Sequence, residues 1–529
     1  MKNENIIKFI LTTFLFMAYL YGQFPSELNH PSTVIAKRLA ANGILKLEVF
    51  TKNHLSKIHL NKALKDIDDE IIHRHIWGIS LPEFDIVPNK NEKEKNFKYF
   101  RNILLENNPI EKKNYIYKAH SDSIYFWIDI SERITAQLNN GKIRNVSNDM
   151  FSFNAIIDDK IYLSSIFSIF RHSGKDIIIK DDYHNEWTKY FPIIQKTFWY
   201  KNYTSFFYKN SLFDLEIANY PFSWGWSSGN SNLISSNSIP FNRVSIYKRI
   251  GNLNLEYFHG ALTNDLINKI HSDNIKEEKY IAGHKLNYNL KNMIFSLSEI
   301  VIYGNRSPEL GYINPISFFW AQEHNLGDLD NILLAFDFGY RFSKGFIFYN
   351  SIVIDELSWE HVFSDWWGNK FSNQTGLYIS STNLKYPDLR FELTITRPWT
   401  YTHPDFSFSN RQISLGSHDG PSSISYKIES FIFPHRDVRA HFCIKNTLKG
   451  IGLGTNILDN YDYRDKTIDN NTKLLMGSHY KTINFKSIIN YYLSNKITLE
   501  GTVNILHTEN KTDTKEQIIE MNFGISLNL

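Results

Sequence analysis

The 529-residue sequence predicts a mainly β chain. Its expected form is a transmembrane antiparallel β-barrel of about 16–18 strands, with a small N-terminal helical domain. Three observations lead there. The run from Ile519 to Leu529, IEMNFGISLNL, is apolar at every odd position and polar or small at every even one. A strand points alternate side chains to opposite faces, so this segment has one greasy face and one wet face, as the last stave of a barrel requires. Aromatic residues make up 15% of the chain, and barrels place such residues in girdles at the two membrane interfaces. Paired strand signals are joined alternately by short turns and by long polar loops, the asymmetry of outer-membrane barrels.

Taken in order, the chain opens on an export signal. Lys2 and Lys8 flank the start of an apolar run from Phe9 to Leu20, too short to span a bilayer as a helix but suited to a signal-peptide core, with Gly22 before the cut. Residues 1–22 are therefore read as a signal peptide and residues 24–95 as a small helical periplasmic domain. In that domain Ser32 can cap a helix over Val34 to Ala41 that Gly43 ends. Leu60, Leu64, Ile67 and Ile71 mark a second helix over about residues 61–72. The spacing of Pro31, Ile35, Leu39, Gly43 and Ile44 resembles an S-layer-homology-type unit, which implies cell-wall or periplasmic contact through this segment. Residues 89–98 form a charged linker. His73 and His75 read as surface histidines rather than metal ligands, because no further ligands sit near them.

The barrel is expected over residues 113–529. Leu253, Leu255 and Tyr257 alternate with Asn254 and Glu256. Leu334, Phe336, Phe338 and Tyr340 alternate with Asp337, Gly339 and Arg341, and Leu389, Phe391 and Leu393 with Arg390 and Glu392. The charged members of the wet faces imply a polar lumen. Long loops fall at 262–277, 304–330, 355–372, 398–421 and 454–470. A propeller or large sandwich also alternates, and only the leader, the terminal strand and the loop asymmetry together favour the barrel. Net charge is +3, which shows no nucleic-acid footprint, and the single cysteine, Cys443, rules out an intramolecular disulfide framework.

Three motif clusters stand out. One is Pro221 to Gly229, PFSWGWSSG. The second combines Ala282-Gly283-His284-Lys285, Glu299-x-x-x-Tyr303-Gly304, Asn314-Pro315-Ile316 and Asp330-Asn331. The third runs from Tyr401 to Pro421 and contains His403, Arg411 and Leu415-Gly416-x-x-x-Gly420-Pro421. With the carboxylate pair Asp355-Glu356, these elements resemble the Wzi-type capsule-assembly family of outer-membrane proteins over about residues 115–529. That family commonly has Arg before the Trp-Gly pair, where this chain has Ser223. The resemblance implies a large barrel in the outer membrane of a Gram-negative-type bacterium. It also implies a non-catalytic role in holding or organising surface polysaccharide, with polysaccharide and outer-membrane lipid as partners and no cofactor.

The candidate ligand-binding residues are Trp224, Trp226, His284, Glu299, Tyr303, Asn314, Asp337, Asp355, Arg397, His403 and Arg411. Sugars want aromatic faces for their C–H surfaces and planar polar groups for their hydroxyls. Trp224, Trp226, Trp366 and Trp367 lie in loop-like stretches, where they serve either as ligand contacts or as girdle and packing residues. Asp337 points into the lumen, to pair with Arg341 or to meet ligand. Glu299 shares parity with Met293, Phe295 and Leu297, so a bulge or a place above the membrane edge must rescue it. Arg397 raises the same parity problem. The segment from Glu323 to Asn331 gathers oxygen ligands suited to calcium, or is a solvated loop. No His-Glu-x-x-His or Gly-x-Ser-x-Gly motif is present, and His284, His403 and His418 lack acid–base–nucleophile spacing, so no enzyme is expected. The competing readings are a porin-like diffusion channel and, behind it, an outer-membrane hydrolase.

Overall fold

The computed structural model describes residues 31–51 and 116–528, apart from 122, 140–141, 159, 174–188, 192, 228, 264–277, 363, 382–385, 436–437, 494–496 and 511–514. The leader, the second helix at 61–72, His73, His75 and the linker at 89–98 lie outside the described residues.

Within them, 18 antiparallel strands close into one ring, from Ile124–Asn139 to Lys515–Asn528. The terminal strand is the stave its alternation demands. It pairs with Ile497–Asn510 on one side and with Ile124–Asn139 on the other, in a register running from Ser131 opposite Asn528 to Asn139 opposite Glu520. Phe523 faces outward, while Glu520 accepts hydrogen bonds inside from Asn139 and Asn504. Two further short strands, Tyr117–His120 and Lys189–Phe191, extend the sheet at its margins. Leu297, Phe336, Ile428, Ile444 and Phe523 belong to an exposed apolar outer wall, whereas Glu216, Glu256, Asp337, Arg390 and Glu392 are buried inside. This is a closed transmembrane-type barrel with a polar lumen.

The lumen is filled from both ends. Helix α1 (Pro31–Ala41) begins at the proline, one residue before Ser32, so that Ser32 lies in its first turn. It ends as Gly43 allows: this glycine has φ +86°, its N–H reaches the Ala40 carbonyl, and the Ile44 N–H reaches the Leu39 carbonyl. The helix sits at the short-turn end of the barrel. Arg38 forms a buried ion pair with Asp388 at 2.6 Å, and Arg341 donates to the Ala40 carbonyl. The Gly345 N–H donates to the Ala41 carbonyl. Helix α2 (Glu48–Thr51) follows, and Phe50 is wholly buried. From the other end, loop 220–241 folds inward. Its Trp226 ring stacks on Tyr349 at 5.1 Å and on Phe50 at 5.6 Å, so the two fillings meet mid-barrel. The inward-facing Gly339 makes this possible, because a Cβ there would lie 2.1 Å from the Trp226 ring. Loop 397–422 completes the filling through Tyr401, Phe408 and Leu415, all fully buried.

Candidate functional site

The residues singled out in the sequence separate into three places. Trp224 and Trp226 are buried in the lumen filling. Lys285 reaches over the small Ser296 and Ser298 of the intervening strand to pair with Asp337 at 3.0 Å, both side chains being 1% exposed. The expected pairing of Asp337 with Arg341 is corrected. The two residues are four apart on one strand, a separation of roughly 13 Å, and Arg341 instead holds backbone carbonyls of α1 and of the turn at Lys291.

The second place is the outer wall. Strand Met293–Gly304 keeps an unbroken register with both neighbours, so no bulge rotates Glu299. Its side chain does face outward, but two short helices cover that wall: α3 (Leu310–Ile313) and α4 (Phe319–Leu326). The Glu299 carboxylate accepts the Phe319 N–H at 2.8 Å and the Trp320 N–H at 2.7 Å, capping α4. His284 Nε2 lies 3.0 Å from the same carboxylate. Tyr303 is buried under the hairpin, where its hydroxyl accepts the Glu309 N–H and meets His259 Nε2 at 2.7 Å. Asn314 closes α3 and its side chain accepts the Ile316 N–H. This group therefore secures a collar on the barrel.

The third place is the long-loop end, and here the chemistry suits a ligand. Arg397 follows the end of strand Asp388–Thr396, which lifts its parity constraint. Its guanidinium donates to the carbonyls of Trp366 at 3.2 Å and Thr472 at 3.3 Å, tying loop 357–369 to loop 452–477. The Trp367 N–H donates to the Asp469 carbonyl, and the Thr472 N–H to the Asp365 carbonyl. Trp367 packs on Tyr461 at 5.6 Å, with the Arg464 guanidinium 3.7 Å from its ring centre. Lys370 Nζ sits 3.9 Å from the Tyr461 ring centre and pairs with Glu356 at 2.6 Å. Beside this braced base, Trp366 stacks on His361 at 4.8 Å, and Trp359 is 84% exposed. The Asp365 side chain is 64% exposed. Asp355 accepts the Tyr401 N–H at 2.6 Å and so holds the neighbouring loop.

His403 joins this end at 6.1 Å from Tyr461, ring centre to ring centre. Its Nδ1 accepts the N–H groups of Asp405 and Phe406. Burial, then Lys370 and Lys279, push its imidazole down to about 4. The unfolded loop takes up a proton near 6.5 and the folded loop does not. The stabilisation is therefore complete above pH 6.5 and declines as pH falls through 4. Loop 399–416 should become protease-sensitive at pH 4–5 and not at pH 7, an effect that His403→Gln should shrink. Arg411 lies elsewhere in the loop, with φ +50° and its Nε 3.3 Å from the Thr263 hydroxyl.

Trp359, Lys370, Tyr461 and Arg464 were missed as site residues. Three indoles and an imidazole, Trp359, Trp366, Trp367 and His361, stand in one long loop, and Tyr461, Tyr463 and Arg464 in another. That concentration of aromatics away from any strand was the available signal.

Neither a family model nor a curated protein matches the chain. Among solved structures it is similar to Wzi of Escherichia coli, described as an outer-membrane protein involved in group 1 capsule assembly and a carbohydrate-binding β-barrel. The TM-score is 0.56 at 11% identity, covering 96% of this chain and 99% of that one. The chain has the Wzi fold. It is also similar to OccAB2 of Acinetobacter baumannii, with TM-score 0.43 and 10% identity over 76% of this chain and 98% of that one. OprD of Pseudomonas aeruginosa gives 0.41 at 10% identity, over 76% of this chain and 95% of that one. The Wzi likeness agrees with the family that the spaced motifs resemble.

Proposed function

We propose that this chain is an outer-membrane barrel that binds surface polysaccharide at its long-loop end and organises it there without chemistry. The observation that carries the reading is the braced pair Trp366 and Tyr461, with the exposed Trp359 in the Trp366 loop, set among Asp365, Glu356, Lys370 and Arg464. Flat aromatic faces receive the C–H faces of sugar rings, and the open carboxylates of Asp365 and Glu356 receive hydroxyls, while Lys370 and Arg464 brace the rings from below. The Wzi fold supports the reading, since that barrel is described as binding carbohydrate. A free diffusion channel fits less well, because the described residues pack the lumen from both ends.

Each aromatic face removed should cost about 0.5–1.5 kcal/mol. Trp366→Ala with Tyr461→Ala should then weaken binding of capsular or exopolysaccharide by roughly 5- to 150-fold, measured by calorimetry on purified protein. Retention of surface glycan on cells carrying the double variant should fall with it. Equal binding by both proteins would overturn this site, and absence of any glycan binding together with stepwise conductance would overturn the function.

A further inference from the structure

We propose that Glu323, His324 and Asp328 form a binding site for a divalent transition-metal ion at the C-terminal end of α4, on the outer collar of the barrel. One ligand atom from each lies within 4.8 Å of the other two. The helix end builds the group. Gly327 terminates α4 with φ +100°, and Asp328 follows at φ +60°, its N–H bonded to the Glu323 carbonyl. This reversal brings the Asp328 side chain back over the last helical turn.

Two observations independent of the clustering point to a ligand. The first is Glu323 itself. The residue is only 6% exposed, and among the described residues its carboxylate has no hydrogen-bond or ion-pair partner. A buried carboxylate without a counter-charge is costly, and a cation between it and the two exposed side chains supplies what is missing. The nearby acids cannot share their cations. Asp330 is held by Arg306 and by the Tyr312 hydroxyl, and Glu299 is occupied by His284 and the two N–H groups of α4.

The second observation is the orientation of His324. Its Nδ1 lies 2.8 Å from the Trp320 carbonyl, which can only accept, so Nδ1 carries the proton. Nε2 then presents its lone pair, the arrangement found in metal-bound histidines whose other ring nitrogen donates to a carbonyl. One imidazole and two carboxylates suit Zn²⁺, Co²⁺ or Mn²⁺, with water completing the shell. They do not suit Ca²⁺, which needs roughly six to eight oxygen ligands. The calcium reading of this segment loses Asp330, whose two oxygens are held by Arg306 and the Tyr312 hydroxyl.

The test uses the full-length protein, untagged, metal-stripped and in detergent. Co²⁺ is titrated into wild type, Glu323→Gln, His324→Ala and Asp328→Asn, reading d–d absorption and bound metal. Hydrogen exchange over residues 310–330 is followed with and without Zn²⁺. Wild type should bind one equivalent more than the variants, or at least about tenfold more tightly, and Zn²⁺ should slow exchange in wild type alone. Glu323→Gln removes an uncompensated buried charge, so it should fold and exchange no faster than metal-free wild type. Identical Co²⁺ binding by all four proteins would overturn the site. Slowing by Ca²⁺ as strong as by Zn²⁺ would overturn the nitrogen ligand.

Discussion

Arg38→Ala should release the first helix from the barrel and give the protein a stepwise ion conductance that exceeds that of wild type. Arg38 and Asp388 are both wholly buried, with Nη2 and Oδ1 2.6 Å apart, and Nη2 also donates to the Tyr386 carbonyl. Truncating the arginine leaves the Asp388 carboxylate inside the wall without its ion-pair partner, held by the Tyr378 hydroxyl and the more distant Arg390 charge. Breaking a buried pair from one side costs about 3–5 kcal/mol. Other polar ties of helix α1 to the wall include the Arg341 contact to the Ala40 carbonyl, the Gly345 N–H to the Ala41 carbonyl and the Asn42 amide near Ser380. Arg38→Lys keeps the charge and loses the fork that reaches two acceptors, so its conductance should fall between the two. Planar-bilayer recording of the three proteins decides the matter. Equal conductance would mean that α1 does not gate the lumen.

Much of this architecture was legible in the alternation of apolar and polar residues. The terminal strand, the inward charges Arg390 and Glu392 and the boundaries of the long loops follow from period-two patterning, which a closed barrel enforces on every stave. What patterning cannot show is which aromatic in a loop turns inward. Trp226 and Trp366 look alike in sequence, yet one is sealed behind Gly339 and the other stacks on His361 near the surface. The difference is made by a missing Cβ on a strand more than a hundred residues away. Glu299 was misleading for a related reason. Parity aims it at lipid, and only the distant pairing of α4 with its carboxylate makes that direction tenable. The partner of Asp337 was hidden because neighbours across a sheet are close, whereas neighbours along a strand are not.

The same geometry accounts for the motifs that carried the family resemblance. Lys285 neutralises Asp337, and Gly283 leaves room for the Phe258 and Trp224 rings, which a Cβ would meet at 2.7 and 3.1 Å. Gly416 lets the chain pass the Asn232 carbonyl and the Tyr401 ring. These positions build the filled barrel. The platform proposed to hold sugar stands on loops 357–369 and 452–477, where of the motif residues Asp355, Glu356 and His403 adjoin it, so ligand preference can change on the loops with little disturbance to the packing below.

Trp226→Ala should be the most damaging single change in the lumen. The ring is fully buried, sandwiched between Phe50 of α2 and Tyr349 of the wall, and the Trp226 carbonyl accepts from Arg390 at 3.0 Å. Removing a buried indole costs about 3–5 kcal/mol through lost burial and the cavity left behind. Here the cavity opens at the point where the two fillings meet, so it also uncouples them: the Gly225 N–H bond to the Thr51 carbonyl, at 3.3 Å, loses the ring that shields it. The folded band on a heat-modifiability gel should disappear at a lower temperature than in wild type, and urea should unfold the protein at a lower concentration. Trp226→Phe retains one aromatic face against Tyr349 and should lose less than half as much. Gly339→Ala approaches the same contact from the wall, since its new methyl would collide with the indole, and overpacking of this kind costs about 1–3 kcal/mol. The two changes touch one contact, so combining Gly339→Ala with Trp226→Ala should be less damaging than the sum of the separate losses, because the cavity accepts the methyl. Strict additivity in that pair would show that Trp226 and the wall at Gly339 are not in contact.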